Sequence, residues 1–325
     1  MRKDIVRAFL ESGGALLSGE EIARRSGLTR QALWKTVERL KREGWVIEGI
    51  PGKGYRVVSY PPEAEYELLQ DSLRGGPHLD EISFFPSIDS TNSYLLSRAE
   101  KGVERALAVA DSQTGGRGRM GRSWFSPPGK NIYMSYLTPL NVAPSRIPSV
   151  TLVAGVAVAT VLEEFSGVPL SLKWPNDVYG EGKKLCGILT EIVAEQDMVR
   201  SVVLGVGVNV NMGEDEFPEE IRGKATSLRA LSGKTFPRYK IVASIVRVLA
   251  EFLDIFERSG LSPFAGEWEK RSYLKGKQVT VEGPEGKVTG RAVGIDTERG
   301  YLILERDGGE RLEVLSGEVT VREGE

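Results

Sequence analysis

The first sixty residues show three short helical patterns followed by a pair of strands. Residues 3–10 and 18–25 have helical periodicity, and Ser18 stands at the N-cap position of the second segment. A third helix is predicted from Thr29, because apolar residues recur at the spacing of one helix face, at Leu33, Val37 and Leu40. Residues 45–48 and 55–58 are strand-like and enclose Pro-Gly-Lys-Gly at 51–54, a hairpin turn. This order predicts a winged helix-turn-helix.

A linker and a larger α+β unit follow. Residues 59–63 contain paired prolines, which continue neither a helix nor a central strand, so they predict the linker. Beyond it, strand patterns occur at 82–85, 107–110, 132–137, 171–174, 184–194 and 201–210. Helical patterns occur at 93–101, 148–165 and 238–257. Strands with inserted helices predict an α+β domain whose mixed sheet carries helices on one face.

The pattern changes again after Lys275, to short strands separated by glycine turns at 278–282, 287–295, 301–305 and 311–315. Such spacing is typical of a small SH3-like β-barrel. We therefore predict an α+β protein with three domains. They are the winged helix-turn-helix at 1–60, the central α+β domain at 66–272 and the barrel at 273–325.

Composition narrows the class of protein. The chain has 325 residues, of which 40% are apolar and 27% charged, which argues against both disorder and a membrane protein. Its longest apolar stretch, 150–162, is too short to span a bilayer, and no signal-like segment follows the basic start. We therefore expect a cytoplasmic protein with no membrane partner. One cysteine and one histidine exclude an intramolecular disulfide framework and a Cys/His zinc site.

Charge is distributed unevenly along the chain. Residues 1–60 carry 12 basic and 7 acidic residues, a net charge of +5, while the remainder carries 31 and 38, a net charge of −7. This asymmetry indicates that the N-terminal module binds nucleic acid. Trp34 on the third helix is expected to be partly packed. The candidate DNA-contacting residues lie in the first turns of that helix and in the hairpin turn: Thr29, Arg30, Gln31, Lys35 and Lys53.

The most informative stretch alternates glycine and arginine at 115–124. It contains G-x-G-x-x-G, but Ser-Pro-Pro-Gly at 126–129 forbids the helix that a dinucleotide fingerprint requires. Backbone N–H groups and guanidinium groups suit a loop that closes over an anion such as a phosphoanhydride. A solvated basic loop or an RNA-binding tract is the alternative. Because strands flank the stretch and Trp124 and Phe125 follow it, we favour an active-site loop.

Several further motifs occur together with this one, in a fixed order. They are Pro-Gly-Lys-Gly-Tyr at 51–55, Asp-Ser-Thr-Asn at 89–92, Gln-Thr-Gly-Gly-Arg at 113–117, Lys-Trp-Pro-Asn-Asp at 173–177, Lys-Leu-Cys-Gly-Ile-Leu at 184–189 and Gly-Val-Gly-Val-Asn at 205–209. The set resembles the bacterial family of bifunctional biotin–protein ligases and biotin operon repressors, of the BirA type. The resemblance spans nearly the whole chain.

The resemblance implies a two-step reaction. Biotin and ATP give biotinyl-5'-adenylate and pyrophosphate, and a lysine of a biotin carboxyl carrier domain then takes the biotin. Two anions must be brought together, so the site needs fixed cations. The family implies that Lys184 meets the biotin carboxylate and the phosphate, and that Lys173 supports the phosphate. Asp177 is expected to orient a lysine or the incoming amine.

The family also implies the ligand contacts. The ureido ring of biotin needs short polar partners in an apolar cleft. Ser90, Thr91 and Gln113 match the positions that bind it, although residues 90–92 also form a plausible helix N-cap. The remaining biotin candidates are Asn92, the Gly116 backbone, Arg117, Arg119, Trp124, Lys184 and Gly187. The adenylate candidates are Arg117, Arg119, Arg122, Trp124, Lys173, Asn176, Lys184, Asn209 and Arg322.

The remaining expectations concern how ATP is bound, whether Mg²⁺ takes part and how the protein is regulated. Gly233-Lys234-Thr235 is not a P-loop, since position 228 is Leu, and ATP must be bound in another way. The pyrophosphate leaving group implies Mg²⁺, whose ligands the sequence does not identify. By resemblance, the adenylate is also a corepressor that favours a homodimer and operator binding. Two alternatives stay open: a lipoate-type ligase, and a biotin-sensing repressor without catalysis.

Overall fold

The computed structural model describes residues 2–195, 198–283 and 286–322. The N-terminal elements are α1 (Arg2–Glu11), α2 (Gly19–Ser26), α3 (Arg30–Arg42), β1 (Val46–Ile50) and β2 (Gly54–Ser59). Ser18 and Thr29 cap α2 and α3 by accepting backbone N–H groups through their hydroxyls. β1 and β2 form an antiparallel hairpin. The predicted winged helix-turn-helix is confirmed.

The central unit contains a seven-stranded mixed sheet. Its elements are α4 (Glu63–Ser72), β3 (Glu81–Phe85), α5 (Thr91–Glu100), β4 (Ala106–Ala110), β5 (Ile132–Val142), α6 (Ile147–Ser166), β6 (Ser171–Lys173), β7 (Asp177–Gly180), β8 (Lys183–Glu195), β9 (Met198–Val208), α7 (Leu228–Ser232), α8 (Arg238–Ser259) and α9 (Ser262–Arg271). The strand order is β3-β4-β5-β9-β8-β7-β6. β3 and β4 are parallel and the other pairs antiparallel, so the predicted mixed sheet is confirmed.

Helices cover both faces of this sheet, so the prediction of helices on one face is wrong. On one face, Leu95 and Ala99 of α5 pack on alternate strand residues that include Ala108. On the other face, α6 and α8 pack against residues of opposite alternation, such as Leu107. The single short helix α5 covers only part of its face, and the rest of that face is available for a cleft.

The C-terminal unit is a five-stranded antiparallel sheet. Its strands are β10 (Gln278–Gly283), β11 (Gly286–Ile295), β12 (Leu302–Glu305), β13 (Arg311–Val314) and β14 (Glu318–Val321). They are ordered β13-β12-β11-β10-β14. The small C-terminal β domain is therefore confirmed. Five elements were not predicted from the sequence: α4, β7, α7, α9 and β14.

The three parts pack against one another. One contiguous apolar core runs from Ile5 of α1 to Val319 of β14. Lys240 of α8 pairs with Glu11 of α1 at 2.6 Å. The buried indole of Trp174 donates to the carbonyl of Gly300 at 3.0 Å, which joins the β6–β7 turn to the C-terminal sheet.

One described helix has the length and hydropathy of a membrane span. It covers Pro144–Ser166 and includes α6. Within the protein, 72% of its most apolar window is buried, which is the packing of a core helix. Its apolar residues are therefore explained by contacts with α8 and the sheet.

Candidate active site

A cleft of about 240 Å³ opens on the face of the seven-stranded sheet that carries α5. Its walls come from the start of α5, from β8 and β9, from the β6–β7 turn, from β14 and from the connection between β4 and β5. We call that connection, residues 111–131, the glycine–arginine loop. The predicted site residues that line the cleft are Ser90, Thr91, Asn92, Gln113, Arg117, Arg119, Arg122, Trp124, Lys173, Asn176, Asp177, Lys184 and Gly187.

Polar side chains at the start of α5 form a hydrogen-bonded web. Ser90 caps the helix, as expected, by accepting the N–H of Ser93. The backbone N–H of Thr91 donates to the side-chain oxygen of Gln113 at 2.9 Å, and its hydroxyl lies 3.2 Å from the same atom. The buried hydroxyl of Ser135, on β5, lies 2.7 Å from that of Thr91. The web presents short polar groups at one end of the cleft.

Glycines let side chains lie directly on the strand backbone. Gly187 and Gly207 are partners across β8 and β9, and a Cβ at either would lie 3.0 or 2.6 Å from the ring of Trp124. A Cβ at Gly205 would lie 2.2 Å from the amide oxygen of Asn92. The buried indole N–H of Trp124 has no acceptor among the described residues. Trp124 therefore forms an apolar wall that also carries a free donor.

The glycine–arginine loop folds over the cleft as a short hairpin. Gly118 donates its N–H to the carbonyl of Arg122 at 2.7 Å, and Trp124 donates to Gly116 at 2.8 Å. The turn places Met120 at a φ of 55°, with its side chain 66% exposed. The loop thus closes on the sheet with its apolar tip in solvent.

Each arginine of this loop has a different partner. Arg117 pairs with Glu191 of β8 at 2.9 Å, and Arg122 pairs with Glu318 of β14. Arg119 makes one long hydrogen bond, 3.4 Å, to the amide oxygen of Asn176. Burial lowers the pKa of Arg119, although Asp177 and Glu318 oppose the shift. The side chain of Arg119 is thus desolvated inside the cleft, which favours an anionic ligand beside it.

Two lysines project into the cleft from strands. The ammonium of Lys184 lies 2.7 Å from the Oδ1 of Asp177 and 5.4 Å from the centre of the Trp124 ring. Lys173 donates to the hydroxyl of Tyr179 at 3.2 Å. Burial lowers the pKa of Lys173, and nearby Lys184 lowers it further against the attraction of Asp177. Asp177 was expected to orient a lysine or the incoming amine, and in the structure it contacts Lys184.

Three predicted site residues do not line the cleft. Gly116 is buried, and a Cβ there would lie 2.7 Å from Ser126 and from the Trp124 carbonyl. The amide of Asn209, 5% exposed, donates to the carbonyl of Thr226. Arg322 directs its guanidinium to the hydroxyls of Thr280 and Thr289.

The cleft also contains residues that sequence reasoning missed. Tyr179 and Glu318 line it, and Ser135 and Glu191 hold residues that line it. One signal was available for Ser135, a lone polar residue among Ile, Tyr, Met, Tyr and Leu of β5. Cys186, which precedes Gly187 on β8, is fully buried, and burial raises the pKa of its thiol. A structural role therefore fits this cysteine better than the role of a nucleophile.

A second candidate surface lies on the N-terminal module. Arg30, Gln31 and Lys35 are exposed on α3, and Arg30 pairs with Glu20 at 3.0 Å. Thr29 is occupied as the cap of this helix, and Lys53 is exposed in the hairpin turn. Trp34 is 55% exposed, so it is partly packed, in line with the expectation.

Comparison with protein families gives three matches in chain order. An HTH domain model matches residues 2–56, the biotin/lipoate A/B protein ligase family matches 84–209, and the biotin protein ligase C-terminal domain matches 275–322. Curated relatives match over almost the whole chain. The bifunctional ligase/repressor BirA of Bacillus spizizenii is 36% identical over 95% of both chains. That of Escherichia coli is 33% identical over 97% of this chain and 96% of its own.

Solved structures give the same result. The biotin protein ligase from Aquifex aeolicus in complex with biotin and ATP superimposes with a TM-score of 0.64 at 35% identity. It covers 76% of this chain and is itself covered completely. An apo structure of the same ligase superimposes with a TM-score of 0.61 at 31% identity.

Proposed function

Since this chain belongs to the family of bifunctional biotin–protein ligases and repressors of the BirA type, we propose that its cleft joins biotin to the AMP moiety of ATP and that its N-terminal module binds operator DNA. It is an ATP-dependent biotin–protein ligase with a helix-turn-helix repressor domain. One observation supports the location of the chemistry most directly. A small polar web and a set of cations, Lys184, Lys173 and Arg119, meet in a single cleft.

The first step forms a bond between biotin and the α-phosphorus of ATP. A carboxylate oxygen of biotin attacks that phosphorus, and the bond to pyrophosphate breaks, with the electron pair leaving on pyrophosphate. Lys184 and Arg119 stand where they would offset the negative charge of the two reactants. Lys173 supports the phosphate, and Asn176 steadies Arg119.

Biotin occupies the other end of the cleft. Ser90, Thr91 and Gln113 bind its ureido group, and Trp124 covers its valeryl chain against the glycines of the sheet. Asn92 is linked to Thr91 through the hydroxyl of Ser135 and supports this set of residues. In the second step, the unprotonated ε-amine of a carrier-domain lysine attacks the acyl carbon, AMP leaves and the amine loses a proton. Asp177 contacts Lys184 and so keeps the ammonium group of that lysine in the cleft during this step.

The proposal includes Mg²⁺ bound to the phosphates of ATP. Among the described residues, no group of three His, Cys, Asp or Glu side chains could hold an ion. The carboxylates that line the cleft are those of Asp177 and Glu318. Mg²⁺ commonly binds through one or two carboxylates together with substrate phosphates. Both carboxylates here contact cations, Lys184 and Arg122, so an ion held by either would have to displace its partner. When bound, the ion neutralises phosphate charge.

Biotin-dependent exchange of pyrophosphate into ATP, followed by transfer to a carrier domain, tests the proposal. Absence of exchange would leave a biotin-sensing repressor without catalysis. Competition between biotin and lipoate tests the second alternative. We expect biotin to be preferred, because the polar web suits a ureido ring.

We expect Arg119→Gly to release biotinyl-adenylate from the cleft. Arg119 is the loop arginine without a carboxylate in contact, and its loss removes a donor while making the loop more flexible. Escaped adenylate should acylate lysines of bystander proteins. The measurement is the adenylate dissociation rate, together with labelling of an added unrelated protein. Biotinylation confined to the carrier domain, at an unchanged dissociation rate, would contradict this role.

The fall in the rate of pyrophosphate exchange at high pH, the alkaline limb of the pH–rate profile, should depend on Lys173. Burial lowers the pKa of Lys173 below the ordinary lysine value of 10.5, so its charge is lost at a lower pH than usual. Loss of this charge weakens phosphate binding as the pH rises. We expect Lys173→Arg, which stays charged, to move the limb to higher pH. A limb at the same pH in this variant would assign the titration to another group.

The repressor function calls for two copies of the N-terminal module, because one helix-turn-helix reads one half-site. We propose that biotinyl-adenylate orders the glycine–arginine loop and favours a homodimer. Ligand binding and operator binding must then strengthen each other by the same factor. We also propose a cytoplasmic location and the domain division 1–60, 66–272 and 273–325.

We expect Arg30→Ala to weaken operator binding by roughly 1–3 kcal/mol if the side chain reads a base. If Arg30 contacts phosphate, binding to all sequences should fall alike and the salt dependence should decrease. The full chain is needed, because α1 shares the core of the ligase domain. DNA-binding isotherms at several salt concentrations, with and without biotin and ATP, give the result. Equal affinity for operator and random DNA in the unchanged protein would reject the repressor function.

A further inference from the structure

We propose that Glu191 is a positioning residue of the adenylation site. It holds the glycine–arginine loop closed through Arg117 and fixes the amide of Asn92 at the same time. The inference rests on the proposed ligase function and adds to it a residue outside the family motifs quoted above. Glu191 lies on β8, on the face that carries Gly187 and the cleft.

One carboxylate oxygen of Glu191 joins two separate elements. Its Oε2 accepts a hydrogen bond from the Nδ2 of Asn92, on α5, at 2.8 Å. The same atom pairs with a guanidinium nitrogen of Arg117, on the glycine–arginine loop, at 2.9 Å. α5 and the loop are thereby held to the same point of the sheet.

Both ends of the side-chain amide of Asn92 have hydrogen-bond partners. Its Nδ2 also lies 3.3 Å from the carbonyl of Leu189, and its Oδ1 lies 2.5 Å from the hydroxyl of Ser135. The absent Cβ of Gly205 leaves the space that its amide occupies. Because both Glu191 and the Leu189 carbonyl accept from the Nδ2, the two acceptors together turn the Oδ1 of Asn92 towards Ser135.

The path continues to the proposed biotin partners. The hydroxyl of Ser135 contacts that of Thr91, which contacts Gln113 in turn. Glu191 touches neither of those residues. It therefore acts on biotin through Asn92 and on the adenylate through Arg117, which are two separable effects.

The side chain of Glu191 is 25% exposed and that of Arg117 is 43% exposed, so solvent screens the pair. A pair of this kind contributes little to global stability. Its effect should appear in the opening of the loop, because the Arg117–Glu191 pair joins the loop directly to β8. We accordingly expect ligand dissociation to respond where unfolding does not.

The first test uses Glu191→Gln. The amide keeps an oxygen that can accept from Asn92 but loses the charge that attracts Arg117. We expect the biotinyl-adenylate dissociation rate to rise roughly fivefold, with the biotin KM of the exchange reaction near the wild-type value. Glu191→Ala removes both contacts, so the dissociation rate and the biotin KM should both rise.

A double-mutant cycle separates this role from a general weakening of the fold. In the Arg117→Ala background, Glu191→Gln should leave the dissociation rate unchanged, since the partner is already absent. Glu305→Ala is the matched control. Glu305 is a strand carboxylate of similar exposure, 23%, and it pairs with Arg291 of the C-terminal sheet. Its loss should change neither the dissociation rate nor the KM.

Wild-type dissociation and KM in folded Glu191→Ala would overturn the proposal, and so would additive effects in the cycle. If Glu191→Ala does not fold, the isosteric Gln variant decides by the same measurements. Absence of exchange in the wild-type protein would overturn the ligase function and this inference together. Normal exchange with unaffected Glu191 variants would overturn the inference alone.

Discussion

Replacement of Lys184 by alanine should reduce biotin-dependent ATP–pyrophosphate exchange by roughly a hundredfold or more. The ammonium group of Lys184 is held by Asp177 at 2.7 Å and lies beside Trp124 in the cleft, where the two anionic reactants would meet. Loss of one preorganised charge or donor at a reacting anion costs roughly 3 kcal/mol or more. The measurement is the initial rate of exchange at saturating biotin and ATP.

Lys183→Ala is the matched control for this experiment. Lys183 precedes Lys184 on β8, but its ammonium pairs with Glu214 at the surface, at 3.3 Å. Its removal should leave exchange near the wild-type rate. Lys184→Ala also leaves Asp177 without its partner, so the unfolding transition is measured in parallel. Near-normal exchange in a folded Lys184 variant would assign the chemistry to other residues.

The N-terminal module could be predicted closely, because its elements are local. Ser18, Thr29 and the hairpin turn at 51–54 carry their own start and stop signals, and the structure has each element within a few residues of its expected position. The helix α4 was not predicted, because the prolines just before it were interpreted as a linker. Pro61 and Pro62 suggested only a linker, whereas Pro62 is the N-cap residue of α4.

The helices on both faces of the sheet could not be predicted from periodicity. Central strands such as β4, all five residues of which are buried, read as continuous apolar runs. Such a run indicates that both faces of the strand are covered, but it does not indicate which helix covers each face. The partly covered face that holds the cleft follows from the chain path of α5, which the pattern does not encode.

The candidate site divides in the same way. Residues within compact motifs, such as Lys173 and Asp177, were found because the motif contains them. Glu191 and Ser135 come from strands that are distant in the sequence and meet only in the sheet. Glu191 stands in an ordinary strand pattern, and Ser135 is marked only as a lone polar residue in an apolar strand. Their partners, Asn92 and Thr91, lie more than forty residues away. Only the fold brings these pairs together.

A buried charge cluster gives a further example. Arg238, at the start of α8, pairs with Glu65 of α4 at 3.1 Å and with Asp111 at 2.8 Å, and all three are buried. It also donates to the carbonyl of Asn131. Burial alone would lower the pKa of Arg238, but the two carboxylates outweigh it and raise the pKa. The cluster thus joins α4 and α8 to both ends of the glycine–arginine loop.

The sequence offered no sign of this cluster, because Arg238 follows a proline at the start of an amphipathic helix, where an exposed arginine is the ordinary expectation. Its burial has a direct consequence. Glu65 also accepts from the hydroxyl of Tyr60 and the N–H of Tyr239, and Asp111 accepts from Gly129. These donors would not replace the charge of a missing guanidinium.

Arg238→Met should therefore destabilise the protein by about 3–5 kcal/mol, because it leaves two carboxylates buried without their cation. The midpoint of urea unfolding gives the measurement. Arg56→Met is the control, since the Arg56–Glu48 pair is half exposed and should contribute less than about 1 kcal/mol. Adding Glu65→Gln and Asp111→Asn to Arg238→Met should restore much of the loss, because the buried charges disappear together. If the single variant unfolded at the wild-type midpoint, or the triple variant were weaker still, the stability of this region would depend on packing and not on the charge cluster.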